Sequence, residues 1–218
     1  MKNLIRIAAG ALLAGMFAFG SANAATFDFV ELADAGAAPN YGEIGGNPLS
    51  FLSGSIGLDA TATKDGLSAF AYLDKSGVPA THEAPAGMGV CGALTGAGQC
   101  NPGSDDNVTT GEILKLTFSE AVFTADWGFN GPGHGNNFSA GDVLELSIDG
   151  GPFMAMALDV VGFTNFDGLT GTTFELKWAG TDFYIAKISA VPLPPAVLLF
   201  GAALAGLGWL GRRRRKIA

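Results

Sequence analysis

The stretch Asp142-Val143-Leu144-Glu145-Leu146-Ser147-Ile148-Asp149-Gly150-Gly151 decides how this chain folds. Leu144, Leu146 and Ile148 fall on one side, and Val143, Glu145 and Ser147 on the other. That period of two belongs to a strand with one face buried. Asp149-Gly150-Gly151 then supplies turn residues, and Phe153 to Val161 reads as the return strand. The same grammar extends in both directions. Downstream, Thr172 to Trp178 and Asp182 to Ala190 are joined at Ala179-Gly180-Thr181. Upstream, Thr26 to Leu32, Leu49 to Thr63, Leu67 to Leu73, Glu112 to Phe118 and Ala121 to Phe129 read as strands. Lys64-Asp65-Gly66 joins two of them as a tight hairpin. No helical period appears between the termini. The pattern predicts an all-β fold over residues 25–190, a two-sheet sandwich of jelly-roll-like form.

One long stretch, Ser76 to Thr110, reads as irregular. It holds Gly77, Pro79, Pro85, Gly87, Gly89, Pro102 and Gly103 together with the two cysteines, Cys91 and Cys100. An even, closely spaced pair in an exported chain predicts a disulfide. Closing so small a loop is worth about 2–3 kcal/mol in the chain-entropy model, which pins a loop rather than a fold.

The termini differ from the body. Lys2 and Arg6 precede an apolar run from Ile7 to Phe19, and Ala22-Asn23-Ala24 has the small-x-small form of a signal cleavage site. Residues 1–24 are therefore expected to be a signal peptide, with Ala25 beginning the mature chain. At the other end, Val191-Pro192-Leu193-Pro194-Pro195 leads into an apolar run ending at Leu210 and then Arg212, Arg213, Arg214, Arg215 and Lys216. Residues 194–211 are just long enough for a transmembrane helix, since a span needs roughly 17–25 residues. The basic cluster is expected to stay in the cytoplasm.

A short proline-containing motif, one apolar helix and an arginine-rich end resemble the C-terminal sorting signal of the PEP-CTERM family. Val191-Pro192-Leu193-Pro194 is similar to the VPLPA variant, with Pro195 where that variant has Ala. The resemblance covers residues 191–218. It implies processing by an exosortase, an integral-membrane cysteine protease, at or near the motif. It also implies delivery from the inner membrane to the surface or extracellular polysaccharide of a Gram-negative bacterium. Cys91 to Phe118 also resembles a stretch found in some members, which brings no activity with it. A permanent membrane anchor is the alternative for the same residues.

Between the two termini all 20 carboxylates meet only five lysines (Lys64, Lys75, Lys115, Lys177 and Lys187), a net charge of −15. Such a surface repels nucleic acid and anionic lipid. It attracts divalent cations, and Asp105, Asp106 and Glu112 form the densest patch of oxygen donors, a candidate calcium site. Their spacing is not that of an EF-hand, and turn residues ahead of a strand explain them more simply. Catalytic motifs are missing: neither Gly-x-Ser-x-Gly nor His-Glu-x-x-His occurs. His82 and His134 read as surface-loop residues. Trp127, Trp178, Phe129 and Tyr184 suit a strand core better than a sugar-stacking face. The expectation is a non-enzymatic structural or adhesive protein of the surface or matrix without a required cofactor. A carbohydrate- or calcium-binding module is the alternative.

Overall fold

The computed structural model describes residues 24–33, 43–75 and 86–193. Ala24–Pro192 forms one compact unit. The predicted signal peptide, His82, Pro194, Pro195, the helix 194–211 and the basic tail Arg212 to Lys216 lie outside the described residues. Among the described residues no helix is long and apolar enough to cross a membrane.

Eleven strands account for most of this unit: β1 (Ala25–Asp28), β2 (Ile44–Gly46), β3 (Leu49–Ser53), β4 (Ile56–Lys64), β5 (Leu67–Asp74), β6 (Gly87–Cys91), β7 (Glu112–Asn130), β8 (Val143–Ile148), β9 (Met154–Ala157), β10 (Thr170–Trp178) and β11 (Tyr184–Pro192). The all-β expectation holds. Two short helices were not foreseen: α1 (Phe29–Ala33), where a continuous strand was expected, and a 3-10 helix at Val161–Phe166.

The arrangement differs from the expected two-sheet, jelly-roll-like sandwich. One hydrogen-bonded network runs β1-β11-β6-β5-β4-β7-β10-β8-β9, and a further β11–β7 pairing closes β11, β6, β5, β4 and β7 into a five-stranded ring. The reason is the length of β7. The sequence suggested two strands, Glu112 to Phe118 and Ala121 to Phe129, but one strand of 19 residues covers both. Its first half pairs with β4 from Lys64↔Glu112 to Leu58↔Phe118. Its second half pairs with β11 from Pro192↔Val122 to Tyr184↔Asn130. A strand long enough to serve both edges closes the sheet on itself, and closure removes edges that two flat sheets would leave open.

The irregular alternation along β7 has a local cause. Leu114, Leu116, Phe118, Val122 and Thr124 are buried at even positions, then Trp127 and Phe129 at odd ones. Asp126 lies opposite Ser189 and Thr124 opposite Ala190, so Ala125 is an extra residue. Such a bulge moves the inward face by one position. The hairpin read from Lys64-Asp65-Gly66 is found with its two central residues at φ 52° and 76°, both left-handed, between the paired Lys64 and Leu67.

The interior is one apolar cluster. Trp127 stacks on Phe129 with ring centroids 5.7 Å apart, and Phe129 lies 4.7 Å from Phe166 and 5.2 Å from Phe163. Phe118 and Phe174 meet edge to face at 5.8 Å. Ala60, Ala62, Ala69 and Ala71 line the inner side of the neighbouring strands β4 and β5. These small residues make room for the rings, as close packing requires.

Candidate functional site

Strand β6 positions the most unusual chemistry of the molecule. Met88 and Val90 point into the core, while Gly87, Gly89 and Cys91 face outward and are still buried. Gly89 lies opposite Tyr72, and Gly87 opposite Asp74. A Cβ at Gly89 would stand 2.0 Å from the Asp106 carbonyl oxygen, so only glycine lets the segment Asp105–Asn107 lie directly on the sheet. This segment is held at both ends. Val90 N–H donates to the Asn107 carbonyl at 3.3 Å, and Val108 N–H to Phe183 O at 2.8 Å. Cys91 and Cys100 form the expected disulfide, S–S 2.02 Å, packed against Tyr72.

Four side chains from four different parts of the chain meet on this outer face. Asp74, at the end of β5, is only 3 % exposed, and its Oδ2 accepts no hydrogen bond. Its nearest charged or chargeable partner is His134 Nε2, at 3.5 Å. The His134 ring meets Tyr184 edge on at 5.6 Å, and the Tyr184 hydroxyl donates to Asp106 Oδ1 at 2.7 Å. Burial, with the charges of Asp106 and Glu43 behind it, pushes the Asp74 carboxyl up to about 8. Burial also pushes Asp106 upward, against the Tyr184 hydroxyl that favours its charged form. The Tyr184 hydroxyl is raised by burial and by Asp106. Asp74, Asp106 and Tyr184 all hold their protons more tightly than they would in water.

His134 was expected to be an ordinary surface-loop histidine without a carboxylate at hand. Its own loop offers none, but Asp74 arrives from 60 positions upstream. Spacing along the chain cannot reveal such a meeting. The one local signal was Asp74 itself, a charged residue ending a strand whose last four residues are otherwise apolar or aromatic.

The three predicted calcium ligands do not converge. Asp105 Oδ1 and Glu112 Oε1 both face Lys64 Nζ, at 2.6 and 3.0 Å. Asp106 turns away to Tyr184. The lysine ammonium occupies the position between Asp105 and Glu112 that a cation would take. Among the described residues no group of three or more His, Cys, Asp or Glu side chains is placed to hold a metal ion. Glu112 is fully buried. Burial pushes its carboxyl up to about 7, opposed by the Thr109 N–H at 2.9 Å and by Lys64. The sequence alternative, turn residues ahead of a strand, describes the Asp105 to Glu112 stretch well. Thr109 N–H donates to the Glu112 side chain three residues on, and Glu112 N–H returns to Thr109 O at 3.0 Å.

The aromatic residues weighed as a sugar platform are core or partly covered. Trp127, Phe129 and Tyr184 are each about 1 % exposed, and half-buried Trp178 donates its indole N–H to Asp182 Oδ1 at 2.8 Å. A groove of about 330 Å³ lies elsewhere, over Gly128 and Ala186, flanked by Asp28, Asp126, Lys187 and Asn136. It does not include Asp74, Asp106 or His134.

Among the predicted signal residues, Ala24 is exposed and Ala25 is buried in β1, opposite Ala190. Val191 and Pro192 of the sorting motif are the last residues of β11, opposite Phe123 and Val122 of β7. Ala22 lies outside the described residues, as do Pro194 and Pro195. No family model, curated protein or solved structure matches this chain.

Proposed function

We propose that this protein is an exported, non-enzymatic structural or adhesive protein of the bacterial surface or matrix, delivered through its C-terminal segment. The observation that supports this reading best is how β11 ends. The strand runs without interruption into Val191 and Pro192, and Leu193-Pro194-Pro195 follows. A proline-fixed, extended stretch after a folded body suits a membrane protease acting at the bilayer surface. The disulfide agrees with an oxidising compartment. A strongly acidic body agrees with a dispersed extracellular protein and with binding to neither nucleic acid nor anionic lipid.

In this reading an exosortase-like protease is the processing partner, extracellular polysaccharide the destination, and the membrane a temporary one. Residues paired in a ladder cannot enter a protease cleft, so the cut falls beyond Pro192. Intact mass of the protein recovered from the cell surface tests this. A mature chain that starts at Ala25 and ends within Leu193–Pro195 is expected. Replacing Pro192 and Pro194 with Ala should leave uncut precursor in the membrane while the β domain still folds. Finding Arg212 to Lys216 in the mature surface protein would establish a permanent anchor instead.

A further inference from the structure

The Gly131–Gly135 turn carries His134 against the end of β5. Gly131 N–H donates to Gly135 O at 2.8 Å, and His134 N–H to Gly131 O at 2.9 Å. Both bonds lie within the turn. His134 itself has a left-handed backbone, φ 65°, which directs its ring at Asp74 and Tyr184. His134 thus meets the outer face of the sheet through Asp74 and Tyr184, while Asn136 lines the groove over Gly128 and Phe138 beyond the turn packs on Phe163.

The groups facing Asp74 are nearly all acidic or neutral. Glu43 approaches from the segment before β2, Asp106 from the crossing segment, Tyr72 from β5 itself and Tyr184 from β11. Asp182 acts on Tyr184 from further along, and Lys75 follows Asp74 in the chain. Strand β6 places Gly87 opposite Asp74 and Gly89 opposite Tyr72, neither with a side chain. With a proton on Asp74 the cluster carries one negative charge fewer beside Asp106 and Glu43. With Asp74 ionised, a buried carboxylate whose Oδ2 has no hydrogen-bond partner stands beside Asp106 and Glu43, and it gains stabilisation chiefly by reaching water.

We propose that Asp74 and His134 form a proton-operated latch. It holds the Gly131–Asn137 turn on the barrel while the pair carries a proton and lets the turn swing out when that proton is lost. The device is independent of the sorting reading. It opens locally, because the turn contributes no strand to the ring, while the segment under Asp106 is fixed by the disulfide and by its bonds to Val90 and Phe183.

Amide NMR of the full chain in detergent micelles tests it. Burial places the Asp74 titration at about 8. The amides of Gly131, Gly133 and Gly135 should shift together with that midpoint, and their heteronuclear NOE values should fall above it. In Asp74→Asn, which keeps the shape and removes the charge, the turn should stay closed and the shifts should stay flat across the range. His134→Gln separates the two halves of the latch: amides of Leu73 and Gly87 should still report Asp74, while those of the turn no longer follow it. Turn amides that do not titrate in the wild type, or that titrate unchanged in Asp74→Asn, would overturn the latch.

Discussion

The two faces of β6 are buried for different reasons. Inward, Met88 and Val90 join a core of interlocking rings and methyl groups. Outward, Gly89 and Cys91 lie under a disulfide-stapled segment that brings Asp105, Asp106 and Asn107 onto the sheet. The inner face is stabilised by removing apolar area from water, a term that is non-directional and forgiving of small shifts. The outer face depends on each polar group finding its partner, and an unpaired buried group is costly. One layer therefore supplies strength. The other supplies sensitivity.

Breaking the inner layer should have the largest effect. Trp127 is fully buried between Phe129, Phe166 and Phe174, so Trp127→Ala should cost about 3–5 kcal/mol in chemical denaturation. Its indole N–H has no hydrogen-bond partner. Trp127→Phe should accordingly cost much less, since only volume is lost. Equal losses from the two substitutions would mean that the indole nitrogen is held by something other than packing.

The outer layer should respond less and more locally. Replacing Cys91 and Cys100 together with Ala should cost about 2–3 kcal/mol. Protease sensitivity should rise within residues 92–105 while the core signal of Trp127 persists. Loss of that core signal at the same denaturant concentration would show the two layers to be one cooperative unit.

Much of the inner layer could be read in the sequence because alternation reports burial directly. Leu144 and Leu146 are buried as their period demands, and the Lys64-Asp65-Gly66 turn is where it was expected. Closure of the ring could not be read. It depends on β7 continuing through Ser119-Glu120-Ala121, an exposed polar stretch that looks like a break between two strands. Strand β6 was hidden for a related reason. Its two glycines are turn signals in sequence, yet in the fold Gly89 is the condition for Asp106 to pass over the sheet, and Gly87 lets the β11 backbone at Ile185 come close. The disulfide was legible from cysteine spacing and compartment. The Asp74–His134–Tyr184–Asp106 group was not, because its members are far apart in the chain and only topology brings them together.

Dependence on pH sharpens the contrast further. Folding raises the Asp74 carboxyl from 3.8 to about 8 and the Glu112 carboxyl from 4.5 to about 7. Carboxyls raised in this way contribute stability that is complete below their unfolded values and is lost as pH rises through the folded ones. Stability should therefore fall between about pH 4 and pH 8. Asp74→Asn should flatten the profile between about pH 7 and pH 8 and leave a shallower fall between about pH 4.5 and pH 7, which belongs to Glu112. A melting temperature that rises with pH over this range would contradict the assigned direction.

The smallest effect should come from the rim of the groove. Lys187 Nζ lies 2.6 Å from Asp126 Oδ2, a short ion pair, but both side chains are more than two-fifths exposed. The hydrogen bond to Asp126 raises the Lys187 pKa, and the exposed position lets water and salt screen most of the attraction. Lys187→Ala should therefore change stability by no more than about 0.5 kcal/mol at physiological salt. The lysine stem also covers Gly128, whose position for a Cβ lies 3.0 Å from Lys187 Cγ. Lys187→Met, which keeps that cover and removes the charge, separates the two contributions. If Met restores what Ala loses, packing over Gly128 accounts for the effect. If Met and Ala lose equally and the loss disappears at high salt, the charge pair accounts for it. A loss above 2 kcal/mol from either would place this surface pair among the buried polar contacts of the β6 face, and the distinction between the forgiving and the sensitive parts of the molecule would no longer follow burial.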